Sequence, residues 1–319
     1  MKKILSVILI IIFLISFASC SEKKYSKSDF CLNTYVTVTA YGKNSSKAVD
    51  DAFKEFERIE NMLSPYIETS EISRINSAGA NESVTVSKEC ADIIKKALRV
   101  CRITNGAFDI TVKPLVDLWN VTDPDTKTVP SDEDIQKARA KVDYRKVSVF
   151  GNTVSISADC MQIDLGGAAK GYCADRACEI MKKYNIKNAL IDLGGNIYAL
   201  GKNENGEKWK IGIQDPEKKR GEYITAIELS DETCVTSGSY ERYFESNGKI
   251  YHHIMDPKTG FPAESEFKSV TVISKNSFEA DMLSTAIFVT GAENFELIRD
   301  DFNIKKYITI DKNNRVEIR

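Results

Sequence analysis

One glycine-rich segment combines acidic, small and basic residues in a way that suits a phosphate group. Asp164-Leu-Gly-Gly-Ala-Ala-Lys170-Gly171 follows an apolar stretch and precedes a helical pattern. Glycines let a backbone approach a ligand closely, and amides at a helix N-terminus attract phosphate, to which Lys170 adds a positive charge. The spacing matches neither a Walker A loop nor a G-x-G-x-x-G motif. Two interpretations stay open: a phosphate site, or a tight strand-to-helix turn that carries a surface lysine.

A later segment, residues 279 to 286, places a carboxylate and a hydroxyl on one helix face. Asp281 and Thr285 are four residues apart, a spacing that brings side chains together on a helix. Both are hard oxygen ligands, the kind that Mg²⁺ uses when it binds nucleotide phosphates. Taken alone, the segment favours a threonine that bonds to its own helix backbone and a solvated Asp281.

Both histidines of the chain, His252 and His253, lie in the segment from residue 251 to 260. Neighbouring strand residues face opposite sides, so the two cannot readily chelate one metal, which argues against histidine-bound zinc. One of them, beside the turn Asp256-Pro-Lys-Thr-Gly260, has the chemistry of a general base near neutral pH. The residues alone favour a structural histidine. Asp192-Leu-Gly-Gly-Asn196 likewise favours a turn or bulge after a buried strand.

The elements that must position these residues are a mixture of helices and strands without a regular βαβ rhythm. Apolar periodicity predicts helices over 46–63, with Ser46 as the cap, and over 87–104, 131–141, 171–184 and 277–289. It predicts strands over 33–41, 188–191, 197–200, 209–213, 226–229 and 270–274, and hairpins over 147–157 and 306–319. The segment 64–81 is polar. We therefore expect an α+β fold with a mixed, largely antiparallel sheet and packed helices.

The first twenty residues predict export. Lys2 and Lys3 precede an apolar run from Ile4 to Phe17, which is short for a membrane span. Phe17-Ala-Ser-Cys20 resembles the lipobox of bacterial lipoproteins, in which the cysteine is acylated. We expect an export signal over 1–19, a lipid on Cys20, a polar tether over 20–29 and a single domain over 30–319. A signal cleaved without lipidation and an uncleaved anchor are the alternatives.

Charge and cysteine content exclude some classes of protein. Lys and Arg number 44 and Asp and Glu 46, a balance that argues against nucleic-acid binding. The eight cysteines include no C-x-x-C pair, so neither a zinc ribbon nor a thioredoxin-like site is indicated. Several cysteines lie among apolar residues and are expected to be buried.

As an ordered set, the segments above resemble the ApbE family, the FAD:protein FMN transferases. The resemblance runs from about Leu32 to the end of the chain. Its other motifs are Leu63-Ser64-x-Tyr66, Ser70 to Asn76, Gly106 to Thr111 with Pro114, Leu115 and Trp119, and His253-Ile-x-Asp-Pro-x-Thr-Gly260. Leu32-Asn33-Thr34 departs from the family, which usually has Met-Gly-Thr there.

The resemblance implies an α+β fold with FAD in a central cleft. It assigns His253 and Asp281 to catalysis, His253 as the base. It assigns Mg²⁺ to the Gly167 carbonyl and the side chains of Asp281 and Thr285. The implied FAD contacts are Leu32, Tyr66, Ala107, Phe108, Asp109, Asp164, Gly167, Lys170 and Ile254.

The implied activity is Mg²⁺-dependent transfer of FMN from FAD to a threonine or serine hydroxyl of an acceptor protein, with release of AMP. The implied place is the outer face of the cytoplasmic membrane. The implied acceptor is a flavoprotein subunit of a membrane redox complex or an exported flavoprotein. The alternatives are a Mg²⁺-dependent FAD pyrophosphatase that gives FMN and AMP, and a flavin-binding lipoprotein without catalysis.

Overall fold

The structure, a computed structural model, describes residues 23–319 except 124, 126, 127 and 303. The predicted export signal and the predicted lipid site at Cys20 lie outside the described residues. Among the residues that are described, no helix combines the length and the apolar character needed to cross a membrane.

An eight-stranded sheet, antiparallel at every pairing, organises the fold and confirms the predicted α+β class. In spatial order across the sheet, its strands are Lys24–Cys31 (β1), Thr34–Tyr41 (β2), Asn188–Leu193 (β6), Asn196–Leu200 (β7), Glu232–Gly238 (β10), Phe267–Ser274 (β13), Ile304–Asp311 (β14) and Val316–Ile318 (β15).

Helices cover one face of this sheet. The helices of the described residues span Ser45–Leu63 (α1), Glu71–Ser77 (α2), Lys88–Ile103 (α3), Lys113–Trp119 (α4), Asp132–Arg139 (α5), Gly166–Lys183 (α6), Ser277–Thr290 (α7) and Ala292–Glu296 (α8). The main core joins α1, α3, α6 and α7 to alternate residues of the strands, such as Val36, Val38 and Ala40 of β2. This period of two places the apolar side chains of each strand on the helix side.

Three smaller sheets complete the architecture of the described residues. The hairpin of Trp209–Gln214 (β8) and Tyr223–Leu229 (β9) packs its apolar residues on the opposite face of the large sheet. Ser83–Thr85 (β3), Val147–Phe150 (β4) and Thr153–Ile156 (β5) form a second small sheet. Tyr243–Ser246 (β11) and Lys249–His252 (β12) form a hairpin that shares a core with α4 and α5 around Trp119.

Several local predictions are confirmed. The helix predicted over 131–141 is α5, whose N-cap Ser131 accepts from the Asp134 amide, and Asp192-Leu-Gly-Gly-Asn196 is the turn that joins β6 to β7. Five of the seven cysteines in the described part of the chain are buried, at positions 90, 101, 173, 178 and 234. By contrast, α1 begins one residue before the predicted cap Ser46, and its N-cap position is Asn44.

Three elements correct the sequence prediction. Residues 24–29, predicted as tether, belong to β1, an edge strand whose pairing with β2 needs only backbone bonds and tolerates exposed polar side chains. Helix α6 starts at Gly166 rather than Gly171, because its packing on α7 outweighs the poor helix propensity of glycine. Helix α2 lies within the segment predicted only as polar, where Ser70 accepts from the Ser73 amide and caps it.

Candidate active site

The predicted phosphate segment and the predicted magnesium segment meet where α6 crosses α7. A Cβ atom on Gly171 would lie 2.2 Å from the Ser277 carbonyl oxygen and 2.8 Å from Asp281 Cβ. Only glycine allows this approach of the two helices. The Asp175 carboxylate of α6 accepts from the Ser277 and Phe278 amides at 2.9 Å each and fixes the start of α7. The N-terminal half of α6 therefore faces Asp281.

Asp281 is a buried carboxylate that serves both helices. The residue is 4% exposed, so the sequence-based interpretation of a solvated aspartate is wrong. Oδ2 accepts from the Gly171 amide at 2.9 Å, and Oδ1 lies 4.0 Å from Lys170 Nζ. In a regular helix the Gly171 amide donates to the Gly167 carbonyl. The hydrogen bond to Asp281 thus joins the carboxylate to the same helical turn as the predicted carbonyl ligand.

Thr285 lies one turn further along α7 and faces Gly167. The Cβ position of Gly167 is 3.9 Å from Thr285 Oγ1 and 3.2 Å from Phe108 Cε2. Ser237 of β10, which the sequence analysis did not identify, has its Oγ 3.1 Å from Thr285 Oγ1. The structure thus brings the three predicted magnesium ligands, Gly167, Asp281 and Thr285, to one place beside the Phe108 ring.

The donor set fits magnesium better than a transition metal. In the described part of the chain, no three His, Cys, Asp or Glu side chains cluster so as to hold a metal. One carboxylate, one hydroxyl and one backbone carbonyl are all hard oxygen donors. Mg²⁺ is bound by few protein ligands of this kind and completes its coordination with substrate phosphates and water.

His253 lies directly after β12 and is held by Arg242. Its amide donates to the Arg242 carbonyl oxygen at 3.1 Å, and its Nδ1 lies 3.3 Å from the same oxygen. A proton on Nδ1 satisfies this contact and leaves Nε2 as a free acceptor, which is the tautomer that we assign. Burial, with the charges of Arg242, His252 and Lys170, lowers the pKa of His253 to about 3. The imidazole is therefore neutral at physiological pH.

His252 has a structural role. Its Nε2 lies 3.1 Å from the Ala263 carbonyl oxygen, and its ring meets the edge of Phe288. Ile254, a predicted FAD contact, is buried and anchored through its amide to His252 Nδ1 at 3.3 Å. Ile254 thus lies directly beside the candidate base.

The side chain of Asp164 lies against the N-terminal end of α6. Its Oδ1 accepts from the Gly166 amide at 2.6 Å. Burial raises the pKa of this carboxyl, and Asp117 raises it further, whereas the Gly166 amide, Lys113 and Lys170 oppose the rise. Lys113 and Asp117 are four residues apart on α4, and this spacing is the signal by which the sequence analysis could have found them.

The segment from Ala107 to Asp109 divides between two roles. Ala107 and Phe108 are buried, and the Phe108 ring lies against Gly167. The Asp109 carboxylate accepts from the Thr111 amide and hydroxyl at 2.8 and 2.7 Å and from the Tyr144 amide at 3.1 Å. Both its oxygens thus hold the loop together, so a flavin contact from Asp109 would have to come from its backbone.

Leu32 lies in the tight turn between β1 and β2. Leu32 and Asn33 both have positive φ, at 53° and 55°, as a type I′ hairpin turn requires. Arg242 donates to the Asn33 carbonyl oxygen at 2.7 Å. The turn is therefore tied to the residue that holds His253.

A cavity of about 620 Å³ adjoins the hydrogen bond between Arg242 and Asn33. Its walls come from the β1–β2 hairpin, from a segment after α4 and from β11 with the residues before it: Phe30, Asn33, Val121, Thr122, Asp123, Glu241, Arg242, Tyr243, Phe244 and Glu245. No sequence pattern identified it, because its walls are distant in the chain.

Comparison with known proteins identifies the family of the chain. Residues 32–308 match the model of the ApbE family. An FAD:protein FMN transferase of Treponema pallidum is 32% identical over 290 residues, which cover 85% of this chain and 80% of that protein. One from Vibrio cholerae is 36% identical over 239 residues, 74% of this chain and 71% of the relative. The crystal structure of the ApbE protein from Thermotoga maritima is similar with a TM-score of 0.85 and 33% identity, covering 92% of this chain and 96% of that one.

Proposed function

The chain belongs to the ApbE family and is an FAD:protein FMN transferase with FAD as its substrate, and from this premise we propose how it performs the transfer. The reaction is Mg²⁺-dependent, and the acceptor is a threonine or serine hydroxyl of a flavoprotein. The hydroxyl oxygen forms a bond to the phosphorus on the riboflavin side of FAD. The bond from that phosphorus to the bridging oxygen breaks, and AMP leaves.

The observation that carries this proposal is the meeting of Asp281, Thr285 and Gly167 where α6 crosses α7. These residues would hold Mg²⁺, which when bound neutralises charge on the pyrophosphate. Lys170 Nζ, 4.0 Å from Asp281 Oδ1, adds a positive charge beside the same site. The N-terminal amides of α6 favour an anion at this end of the helix.

His253 supplies the base in this proposal. Its Nε2 takes the proton of the acceptor hydroxyl, while the contact between Nδ1 and the Arg242 carbonyl fixes the ring. The lowered pKa keeps the imidazole neutral at physiological pH, so Nε2 carries a free electron pair. The apolar side chains of Phe108 and Ile254, both buried, exclude water from the reacting phosphorus.

We also propose that the enzyme acts outside the cytoplasm. The support is the sequence of residues 1–20, with its positive start, apolar run and candidate acylation site at Cys20. The acceptor is then a flavoprotein subunit of a membrane redox complex or an exported flavoprotein. Replacing Cys20 with alanine should abolish incorporation of a metabolic fatty-acid label into the protein; labelling that persists in this variant would reject Cys20 as the lipid site.

A gel experiment tests the transfer itself. The purified protein is incubated with FAD, Mg²⁺ and a candidate exported flavoprotein, and the products are separated under denaturing conditions. Flavin fluorescence on the acceptor, lost when its threonine is replaced by valine, supports the proposal. Release of AMP without a labelled acceptor would instead indicate a pyrophosphatase for that pair. Labelling that persists in EDTA would contradict the metal dependence.

A further inference from the structure

Helix α4 carries a buried lysine under the exposed ring of Tyr66. We propose that Lys113 and Asp117 are positioning residues that hold Tyr66 as a stacking platform for a planar ring of FAD. The inference deepens the proposed function and rests on it for the location of FAD in this cleft. Sequence motifs point to Tyr66, but the contact of Lys113 and Asp117 with its side chain is seen only in the structure.

The Tyr66 side chain is held at two points. Lys113 Nζ lies 4.5 Å from the ring centroid, in the geometry of a cation–π contact. The Tyr66 hydroxyl donates to Asp117 Oδ1 at 3.3 Å, and the other carboxylate oxygen, Oδ2, lies 2.5 Å from Lys113 Nζ. The ammonium fixes the plane of the ring and the carboxylate fixes its rotation within that plane.

The burial of Lys113 argues for a positioning role. Its side chain is 7% exposed, whereas Tyr66 is 68% exposed and Asp117 is 42% exposed. An ion pair gains little once an ammonium loses water, so this lysine is a weak source of stability. Because Lys113 lies against one face of Tyr66, the opposite face supplies the exposed aromatic surface. A second planar ring that stacks there gains free energy beyond that of its burial.

The platform also adjoins the candidate dinucleotide site. The charges of Lys113 and Asp117 both act on Asp164, which begins the turn into α6. A ring stacked on Tyr66 therefore lies on the side of the cleft where Asp164 and the N-terminus of α6 face the phosphates. Lys113 itself is covered by Tyr66 and Asp117, so it acts on FAD through the tyrosine.

A double-mutant cycle on FAD binding tests the proposal. Lys113→Met, Tyr66→Leu and the double variant are titrated with FAD as full-length protein, and the dissociation constant and the fluorescence of bound flavin are measured. Each single change should weaken binding about 3- to 10-fold. Each should brighten the bound flavin, because stacking on tyrosine quenches it. The double variant should be no weaker than Tyr66→Leu alone, because both changes remove the same platform.

Matched variants separate positioning from stability. Lys137→Met removes an exposed lysine of α5 from a comparable i,i+4 pair with Glu133 and should leave FAD affinity unchanged. Tyr66→Phe keeps the ring and should stay within about 2-fold of the parent protein. Lys113→Arg keeps the cation and should recover most of the affinity lost in Lys113→Met.

Two results would overturn the platform. One is full FAD affinity in Tyr66→Leu. Because Tyr66 is on the surface, this variant should fold, and its result decides the question even if Lys113→Met does not fold. The other is an equal loss from Lys113→Met in the presence and absence of Tyr66. Failure of the proposed function is seen separately, as parent protein that binds FAD but labels no acceptor.

Discussion

At Asp281, one carboxylate joins two helices and supplies the only charged ligand that we propose for magnesium. Its Oδ2 accepts from Gly171, which leaves Oδ1 directed toward Lys170. A buried carboxylate is costly unless it is hydrogen-bonded or paired with a cation. The combination of burial, one amide donor and one distant lysine is therefore what a residue that receives a metal ion would show.

Replacing Asp281 with asparagine should abolish Mg²⁺-dependent AMP release, by about 100-fold or more at saturating FAD, because the charged ligand is lost. The amide oxygen can still accept from Gly171, so the helix contact is preserved. Release of AMP is measured over a Mg²⁺ titration. Glu279→Gln, two residues earlier on the same helix, is the control and should behave as the parent. An Asp281→Asn protein with an unchanged Mg²⁺ response would refute the ligand assignment.

His253→Gln should lower FMN transfer more than FAD affinity, because the imidazole is assigned to the acceptor proton rather than to FAD. Transfer is measured by labelled acceptor and affinity by FAD titration. Since the pKa of His253 is lowered to about 3, this residue stays neutral from pH 5 to 9. Its titration should therefore add no acid limb near pH 6.5 in the parent protein. Equal losses in transfer and affinity would make His253 a binding residue.

The same pKa shift has a consequence for stability. In the unfolded chain His253 takes up a proton near its ordinary pKa of 6.5, whereas in the folded protein it does so only near 3. Stability therefore falls as pH drops through this window, because the unfolded state binds more protons. Chemical unfolding of the parent and of His253→Gln at pH 7.5 and 4.5 measures this. The parent should lose more stability than the variant between the two pH values; equal losses would contradict the shift.

At the scale of elements, the contact between α6 and α7 determines the site. Gly171→Ala should destabilise the fold by about 1–3 kcal/mol, because the added Cβ would overlap the Ser277 carbonyl and crowd Asp281. Since Asp281 moves with α7, a higher Mg²⁺ concentration should be needed for half-maximal AMP release. Thermal unfolding and a Mg²⁺ titration measure the two effects. Lys183→Ala, exposed near the end of α6, should change neither; a Gly171→Ala protein identical to the parent would show that the helices do not require this approach.

The elements show where sequence reasoning succeeds and where it stops. Long amphipathic helices such as α1 and α3 are visible in apolar spacing, and their predicted bounds agree with the structure within a residue or two. Helix α4 and the hairpin of β11 and β12 are short and depend on the core around Trp119. No repeat of apolar residues within these segments is therefore long enough to predict them. The site follows the same rule. Motifs identify Asp281 and Lys170, but Lys113, Ser237 and Arg242 act through partners far away in the chain.

At the scale of the whole molecule, β1 connects the N-terminal segment to the site. It pairs with β2 along its full length and ends at the Leu32-Asn33 turn, whose carbonyl receives the Arg242 guanidinium. The hydroxyl pairs Ser26–Thr39 and Ser28–Thr37 and the aromatic pair Phe30–Tyr35 line its outer face. The folded domain therefore includes Lys24, and residues 24–29, which we predicted as part of a tether, belong to this strand.

Two truncations separate the strand from the tether. A chain that begins at Lys23 should match the full-length protein in thermal stability, because β1 is intact. A chain that begins at Leu32 loses three cross-strand pairs, each worth about 0.2–1 kcal/mol, together with the backbone ladder. Its melting temperature should fall by about 4 °C or more, and its exposed β2 edge should promote aggregation. Without β1 the turn no longer holds the Asn33 carbonyl against Arg242, so acceptor labelling should also slow, because the same arginine holds His253. Equal melting temperatures for the two truncated chains would show that β1 contributes nothing to the fold and that the domain begins at the β1–β2 turn.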